Sequence, residues 1–386
     1  MAFLREQIGP LLFDRREKLA TMSKSAPRAA WDNLRREVDL AIRRLEENRY
    51  GACEVCGSPI GDSDLLANPL LRSCISHLPA DEQRKIYRDQ GFAESLRGVS
   101  PLDDVRGLAI ETEGDVSPRM PLAEAPLLWA HRKELDLDLD RARQIVSALL
   151  PATHLHSEAW EVSYEYVPAG PLGGDFCDLV QLAPGEFFLL FGDVMGKGIA
   201  ACMIASRLYG LFRTLLDLNL SLSDMLDRAN RIFCEFLLSS GQYATLVCGR
   251  TTNTGTLEVV NAGHLPPLLL GQGRTERIVA TGPPLGLFFS STYEVTRIDL
   301  EAGDTLLLFT DGLTEERDPT DSEYGYERLT RFAVERKHLS PDGLVRVCRE
   351  EVAAFAGKSV FSDDLTLLAM RRLSEKIESG KKFDPN

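Results

Sequence analysis

Positive charge is in short supply in this 386-residue chain, where 44 Lys and Arg stand against 58 Asp and Glu for a formal net charge of −14. That balance argues against a general nucleic-acid or anionic-membrane surface, since both are bound through an excess of Lys and Arg. No apolar run reaches the length expected of a bilayer-spanning helix, and Met1 is not followed by the basic-then-apolar pattern of a secretory signal. The expected location is therefore the cytoplasm, with no membrane partner. Cysteine is too sparse for a disulfide scaffold, with eight residues over the whole length. The composition that remains, 44% apolar and 26% charged, suits a folded protein with a sizeable core. Its length predicts two or three folded units rather than one.

Residues 3–49 read as two helices parted at 23–28 by Pro27. Trp31, Leu34, Val38, Ala41, Ile42 and Leu45 recur at helical spacing in the second. A compact Cys-bearing segment (50–78) and a short helix (80–96) complete a first unit, 1–98. Residues 99–126 carry prolines, glycines and acids without periodicity and read as a flexible linker. A linker helix follows over 127–151, ending at Pro151, and the last residues, 375–386, read as a disordered tail. Between them, 152–374 switches to short β-type runs such as VSYEYV, EFFLLFGDV, YATLVCGRTT and DTLLLFTDG, interrupted by helical stretches near 198–217 and 223–239. Strand runs of this kind, with hairpin signals such as Asn253-Thr254-Gly255, predict an α+β sandwich rather than an alternating βαβ sheet.

Four motifs place aspartate at the end of an apolar run or beside glycine: Gly173-Gly174-Asp175-Phe176, Gly192-Asp193-Val194, Thr310-Asp311-Gly312 and Ser362-Asp363-Asp364. Asp before Gly usually makes a turn, and one such site alone would mean no more than that. Four in one unit predict carboxylates collected on the rim of a sheet. Oxygen ligands without His or Cys suit Mg²⁺ or Mn²⁺. Two such ions roughly 3.5–4 Å apart clamp a phosphoryl group and acidify a water, so that no side-chain nucleophile is required.

The stretches PAGPLGGDFCDLV, FFLLFGDVMGKGIAACMIASRL, VVNAGHLPPLLL, GPPLGLF, LLLFTDGLTEERD and FSDDLTLLAMRR, in this order, resemble the SpoIIE-type branch of the protein phosphatase 2C (PPM) superfamily. The resemblance implies a PPM-type β-sandwich flanked by helices, holding two Mn²⁺ or Mg²⁺ ions, that hydrolyses phosphoserine or phosphothreonine with a metal-activated water. Carried over position by position, Asp193 bridges the ions with help from the Val194 carbonyl. Asp311 and Asp364 complete one shell, and Asp175 serves the other. The usual tyrosine after the GGDF motif is Cys177 here, a change expected to touch packing. Residues 157–174 contain no Arg or Lys, unlike many eukaryotic relatives, which fits the bacterial branch. Lys197, at an expected helix start, is a possible phosphate contact. It does not belong to a P-loop, because Gly198 stands where Ser or Thr is required. His264, between a strand and Pro266-Pro267, reads as a hydrogen-bonded turn histidine rather than an acid–base group.

Cys53, Cys56, Cys74 and His77 follow the spacing C-x₂-C-x₁₇-C-x₂-H with Gly57 just after the first pair. Four soft or borderline ligands so spaced suit a closed, structural Zn²⁺. The segment RYGACEVCGSPIGDSDLLANPLLRSC resembles a DksA/TraR-type zinc finger, a family that contacts RNA polymerase through acidic residues at a hairpin tip. No acid occupies the tip at 23–28 here, which disfavours the alternative of a transcription regulator bound to polymerase. By the phosphatase resemblance, the substrate is a phosphorylated regulatory protein of the anti-sigma-factor-antagonist type. Leu135, Leu139, Ala142, Val146 and Leu149 form a short heptad seam, and the resemblance points to a homodimer through 127–150.

Overall fold

The computed structural model describes residues 8–20 apart from 11, 14 and 18, residues 28–78 apart from 62, 63 and 66–68, and residues 125–374 apart from 237–241, 289, 290 and 359. The expected helix at 80–96, most of the 99–126 linker, the tip at 23–27 and the tail at 375–386 lie outside these residues.

Helix α1 (Arg28–Glu46) presents the expected stripe: Val38, Ala41 and Ile42 are buried, with Leu34 and Leu45 packed beside them. It ends at Glu46, and two residues on Asn48, with a φ of 59°, turns the chain into the cysteine segment. Helix α2 (Ala125–Leu149) leads to strand β1 (His154–His156).

The 152–374 unit is built on two sheets in which all strand pairs are antiparallel. The first has the order β1–β2–β11–β10–β7–β8, adding β2 (Trp160–Val167), β7 (Leu268–Leu270), β8 (Thr275–Arg277), β10 (Thr305–Phe309) and β11 (Leu365–Arg372). The second has the order β3–β4–β5–β6–β9, from β3 (Asp175–Ala183), β4 (Glu186–Val194), β5 (Ala244–Thr251), β6 (Thr256–Ala262) and β9 (Thr296–Asp299). The pleat explains the uninterrupted apolar runs. Phe187, Leu189 and Phe191 of β4 point into the core between the sheets, while Phe188 and Leu190 point outward to helices α3 (Gly198–Leu216) and α4 (Leu222–Phe236). In β10, Leu306 and Leu308 face the shared core, while Leu307 and Phe309 face helices α6 (Tyr326–Arg336) and α7 (Pro341–Ala356). A strand covered on both faces has no polar side, and each of these large residues contributes about 1.5–3 kcal/mol by leaving water. The result is the expected α+β sandwich, with helices outside both sheets.

Two features go beyond the expectations. Among the described residues, α3 is the one helix long and apolar enough by composition to cross a bilayer, with a mean hydropathy of 1.4 over an 18-residue window. Here it is a core helix, burying Ala201, Ile204, Ala205, Leu208, Phe212 and Leu215 against the second sheet. The amino-terminal unit is also not isolated. Its apolar cluster of Ile8, Leu12, Leu19, Val38 and Ile42 is continuous with Ala280, Leu287 and Phe288 of the sandwich, and Arg15 lies over the Phe288 ring.

Candidate active site

The sandwich collects the four acidic motifs at one end. Asp175 opens β3 directly opposite Asp193 near the end of β4, in register. Thr310-Asp311 follows β10, and Asp363-Asp364 precedes β11, the strand to which β10 is paired. Pairing within each sheet and the packing of the two sheets together set side by side residues as far apart as Asp175 and Thr366, 191 positions along the chain. The glycines are not turn formers here. Gly173 and Gly312 have ordinary φ, but a Cβ on Gly173 would overlap the Asp364 carboxylate, and one on Gly312 would overlap the Asp364 carbonyl. A Cβ on Gly174 would lie 2.9 Å from the Val194 carbonyl oxygen. Glycine is what lets these backbones meet.

Each carboxylate has a distinct setting. Asp175 is buried, and its Oδ2 accepts from the Thr310 hydroxyl (2.8 Å) and the Thr366 hydroxyl (2.6 Å). Thr310 occupies the N-cap position of the short helix α5 (Asp311–Thr314), yet its hydroxyl serves Asp175 rather than capping the helix. Burial, then the charge of Asp193, push the Asp175 carboxyl well above its usual range. Asp193 is driven up to about 8, by burial first and then by Asp311, Asp363 and Asp364. Burial, followed by the charge of Asp363, likewise raises Asp311. Like charges held at one partly buried point disfavour their own ionisation, and a bound cation reverses that cost. The donors are all oxygen, so the set fits Mn²⁺ or Mg²⁺.

The Asp363-Asp364 pair divides its work in a way the sequence reading missed. Asp364 is buried, with Oδ1 accepting from the Ala169 N–H (2.8 Å) and Oδ2 from the Gly174 N–H (2.7 Å). Asp363 is more open, and its Oδ2 lies 2.7 Å from Lys197 Nζ. The lysine, at the N-cap of α3, also donates to the Ser362 carbonyl (3.2 Å). The sequence reading also passed over Thr310 and Thr366. Their signal was a threonine beside an acidic strand end in both LFTDG and DDLTLL.

His264 is an enclosed neutral imidazole. Its Nε2 donates to the Phe309 carbonyl (3.2 Å) and its Nδ1 accepts from the Thr245 hydroxyl (2.9 Å), while Asn261 Oδ1 accepts from its backbone N–H (2.8 Å). Burial pulls it down to about 4, so it takes up no proton near neutrality. An unfolded chain protonates this ring near 6.5, so its contribution to stability is complete above that pH and is lost as pH falls toward 4. Urea unfolding should show wild type losing on the order of 3 kcal/mol more than His264→Gln between pH 7 and pH 4. Parallel losses in the two proteins would contradict this assignment.

In the amino-terminal unit, Cys53, Cys56, Cys74 and His77 bring their ligand atoms within 4.8 Å of one another. Cys56 Sγ and Cys74 Sγ are 3.8 Å apart, Cys53 Sγ and His77 Nδ1 3.8 Å, and Cys74 Sγ and His77 Nδ1 3.2 Å. A tetrahedron with Zn–S bonds of about 2.3 Å has edges of about 3.8 Å, so the quartet fits zinc. The knuckle is fixed by backbone bonds from Cys53 N to Ser58 O (2.8 Å) and from Gly57 N to Cys53 O (2.8 Å). Burial pushes the Cys53 thiol up, but N–H groups of Cys74, Cys56 and Val55 outweigh it and bring it to about 6, favouring the thiolate a metal needs.

Comparison with known proteins places this geometry. Residues 183–373 match the family model for Stage II sporulation protein E (SpoIIE). The chain is 27% identical over 268 residues to Protein IcfG of Synechocystis sp., covering 61% of this chain and 42% of that protein. It is 25% identical over 312 residues to Phosphoserine phosphatase RsbU of Bacillus subtilis, covering 79% of this chain and 91% of RsbU. The chain thus spans less than half of IcfG but nearly all of RsbU. Among solved structures, the SiaA-PP2C domain of Pseudomonas aeruginosa superposes with a TM-score of 0.56 at 17% identity, over 63% of this chain and 98% of that one. The fold of the sandwich is that of PP2C domains.

Proposed function

We propose that this chain is a metal-dependent protein serine/threonine phosphatase, with phosphoserine or phosphothreonine on an anti-sigma-factor-antagonist type of regulatory protein as substrate. The observation that carries the reading is the convergence of Asp175, Asp193, Asp311 and Asp363 at one end of a PP2C-type sandwich. The likeness to RsbU, a phosphoserine phosphatase, supports the substrate class.

Two Mn²⁺ or Mg²⁺ ions, when bound, supply positive charge for the phosphoryl oxygens and an acidified water as nucleophile. Asp193 would serve as the shared ligand, with the Val194 carbonyl beside it, and Asp311 and Asp363 would complete the exposed side. Asp363 takes the place first expected of Asp364, whose oxygens hold the Gly174 and Ala169 N–H groups and so fix the Asp175 loop. Asp175 is oriented by Thr310 and Thr366. The Lys197 ammonium, largely exposed beside Asp363, is placed to meet a phosphate oxygen. The head quartet would hold one structural Zn²⁺. Incubation with Mn²⁺ and a phosphorylated antagonist from the same genome should return the dephosphorylated form by mass spectrometry. An antagonist left phosphorylated, while other phosphoserine proteins are hydrolysed, would overturn the substrate assignment.

The α2 seam suits a homodimer through residues 127–150. Leu139, Ala142 and Val146 are half-buried, Leu149 packs on the sandwich core, and Leu135 and Ile145 stay exposed. Arg143 Nε donates to the Pro171 carbonyl (2.9 Å), tying the helix to the loop that carries Gly173, Gly174 and Asp175. Charged substitution of Leu139 and Val146 should yield a monomer with an altered phosphatase rate. Sedimentation that finds the wild-type chain monomeric at tens of micromolar would remove this interface.

A further inference from the structure

Glu316 is a buried carboxylate to which the chemistry above assigns no part. It lies in the stretch just after α5, with its side chain wholly enclosed at 0% exposure. Its Oε2 accepts from the Ser362 backbone N–H (2.8 Å). Its Oε1 accepts from the Ser362 hydroxyl (3.2 Å), from Lys358 Nζ (2.9 Å) and from the Arg317 N–H (3.1 Å). Lys358 also donates to the Ser362 hydroxyl (2.8 Å), and Lys197 to the Ser362 carbonyl (3.2 Å). The N–H, hydroxyl and carbonyl of Ser362 are thus all held, and the next residue is Asp363. Burying a carboxylate is costly unless it is paired and hydrogen-bonded, and here two of its four contacts come from one loop residue, Ser362, which Lys358 also touches. Burial alone would raise this carboxyl, but the Ser362 N–H, Lys358 and the Arg317 N–H outweigh it and keep the group ionised below its usual range.

We propose that Glu316 is a positioning residue for divalent-ion binding, fixing Ser362 and so setting where Asp363 presents its carboxylate. The proposal rests on the reading of Asp363 as a ligand. It ties the segment after Asp311 to the segment before Asp363, so two motifs far apart in sequence are set against each other by one buried charge. A brace that served stability alone would change melting and leave metal affinity where it was.

The test is Mn²⁺ binding to the full chain by calorimetry, beside the Mn²⁺ concentration that half-activates phosphate release. Glu316→Gln keeps the shape and removes the charge. It should weaken Mn²⁺ binding about tenfold and raise the half-activating concentration to match, with the rate at saturating Mn²⁺ changed far less. Glu316→Asp, which keeps the charge one methylene shorter, should recover part of the loss. Should Glu316→Gln fail to fold, Ser362→Ala, at an exposed position, should still weaken binding measurably, by less than tenfold. Mn²⁺ affinity in Glu316→Gln within twofold of wild type, or in Ser362→Ala indistinguishable from it, would overturn the proposal alone. A wild-type chain that takes up no Mn²⁺ would overturn both it and the ligand assignment beneath it.

Discussion

Asp193→Asn should abolish Mn²⁺-supported hydrolysis while leaving the fold intact. Groups that merely orient a metal ligand already cost 10–100-fold when removed, so loss of the ligand proposed to be shared should cost at least about a hundredfold. The fold should survive for an electrostatic reason. Asp193 sits partly buried among Asp311, Asp363 and Asp364, and burial with those charges drives its carboxyl up to about 8. A neutral amide relieves that repulsion, so the metal-free variant should melt at or above the wild-type temperature. Added Mn²⁺ should raise the melting temperature of wild type and leave the variant's almost unmoved. Activity close to wild type at saturating Mn²⁺ would rule out the assigned role.

The second large effect belongs to the head. Cys53→Ser should lower zinc affinity about a hundredfold or more, so that protein purified without chelator carries about one zinc per chain in wild type and far less in the variant. Its consequences should spread beyond the knuckle. Tyr50 donates to the Pro69 carbonyl (2.7 Å) and Arg44 to the Leu71 carbonyl (3.2 Å), so the metal segment is tied to α1. The α1 cluster in turn runs into Leu287 and Phe288 of the sandwich. A lower melting temperature and earlier proteolysis of the first residues are therefore expected. Wild type without zinc, or equal melting of the two proteins, would remove the zinc site from the account.

Much of this was legible in the sequence, for identifiable physical reasons. Strands such as β4 and β10 are covered on both faces, so they appear as unbroken apolar runs, and their ends carry the acids. Cys53, Cys56, Cys74 and His77 lie close in sequence, so their spacing alone brought them together. What stayed hidden depended on long-range placement. Adjacent aspartates at 363 and 364 point opposite ways, one toward Lys197 and the other into the backbone of the Asp175 loop, and nothing in the motif says which. Thr310 and Thr366 matter because β10 and β11 lie side by side next to β3, a neighbourhood no local pattern encodes. Glu316 reads as one more charge in GLTEERD until Lys358 and Ser362 close around it. The apolar length of α3 fits a core helix and a membrane span alike, and only its burial against the second sheet separates the two.

Phosphate release from a phosphoserine-bearing protein, measured with the full chain in Mn²⁺ and again after chelation, tests the central claim most directly. The account predicts release in Mn²⁺ that stops on chelation and returns when Mn²⁺ is restored. Release that continues unchanged in chelator, or no release at any Mn²⁺ concentration, would contradict it.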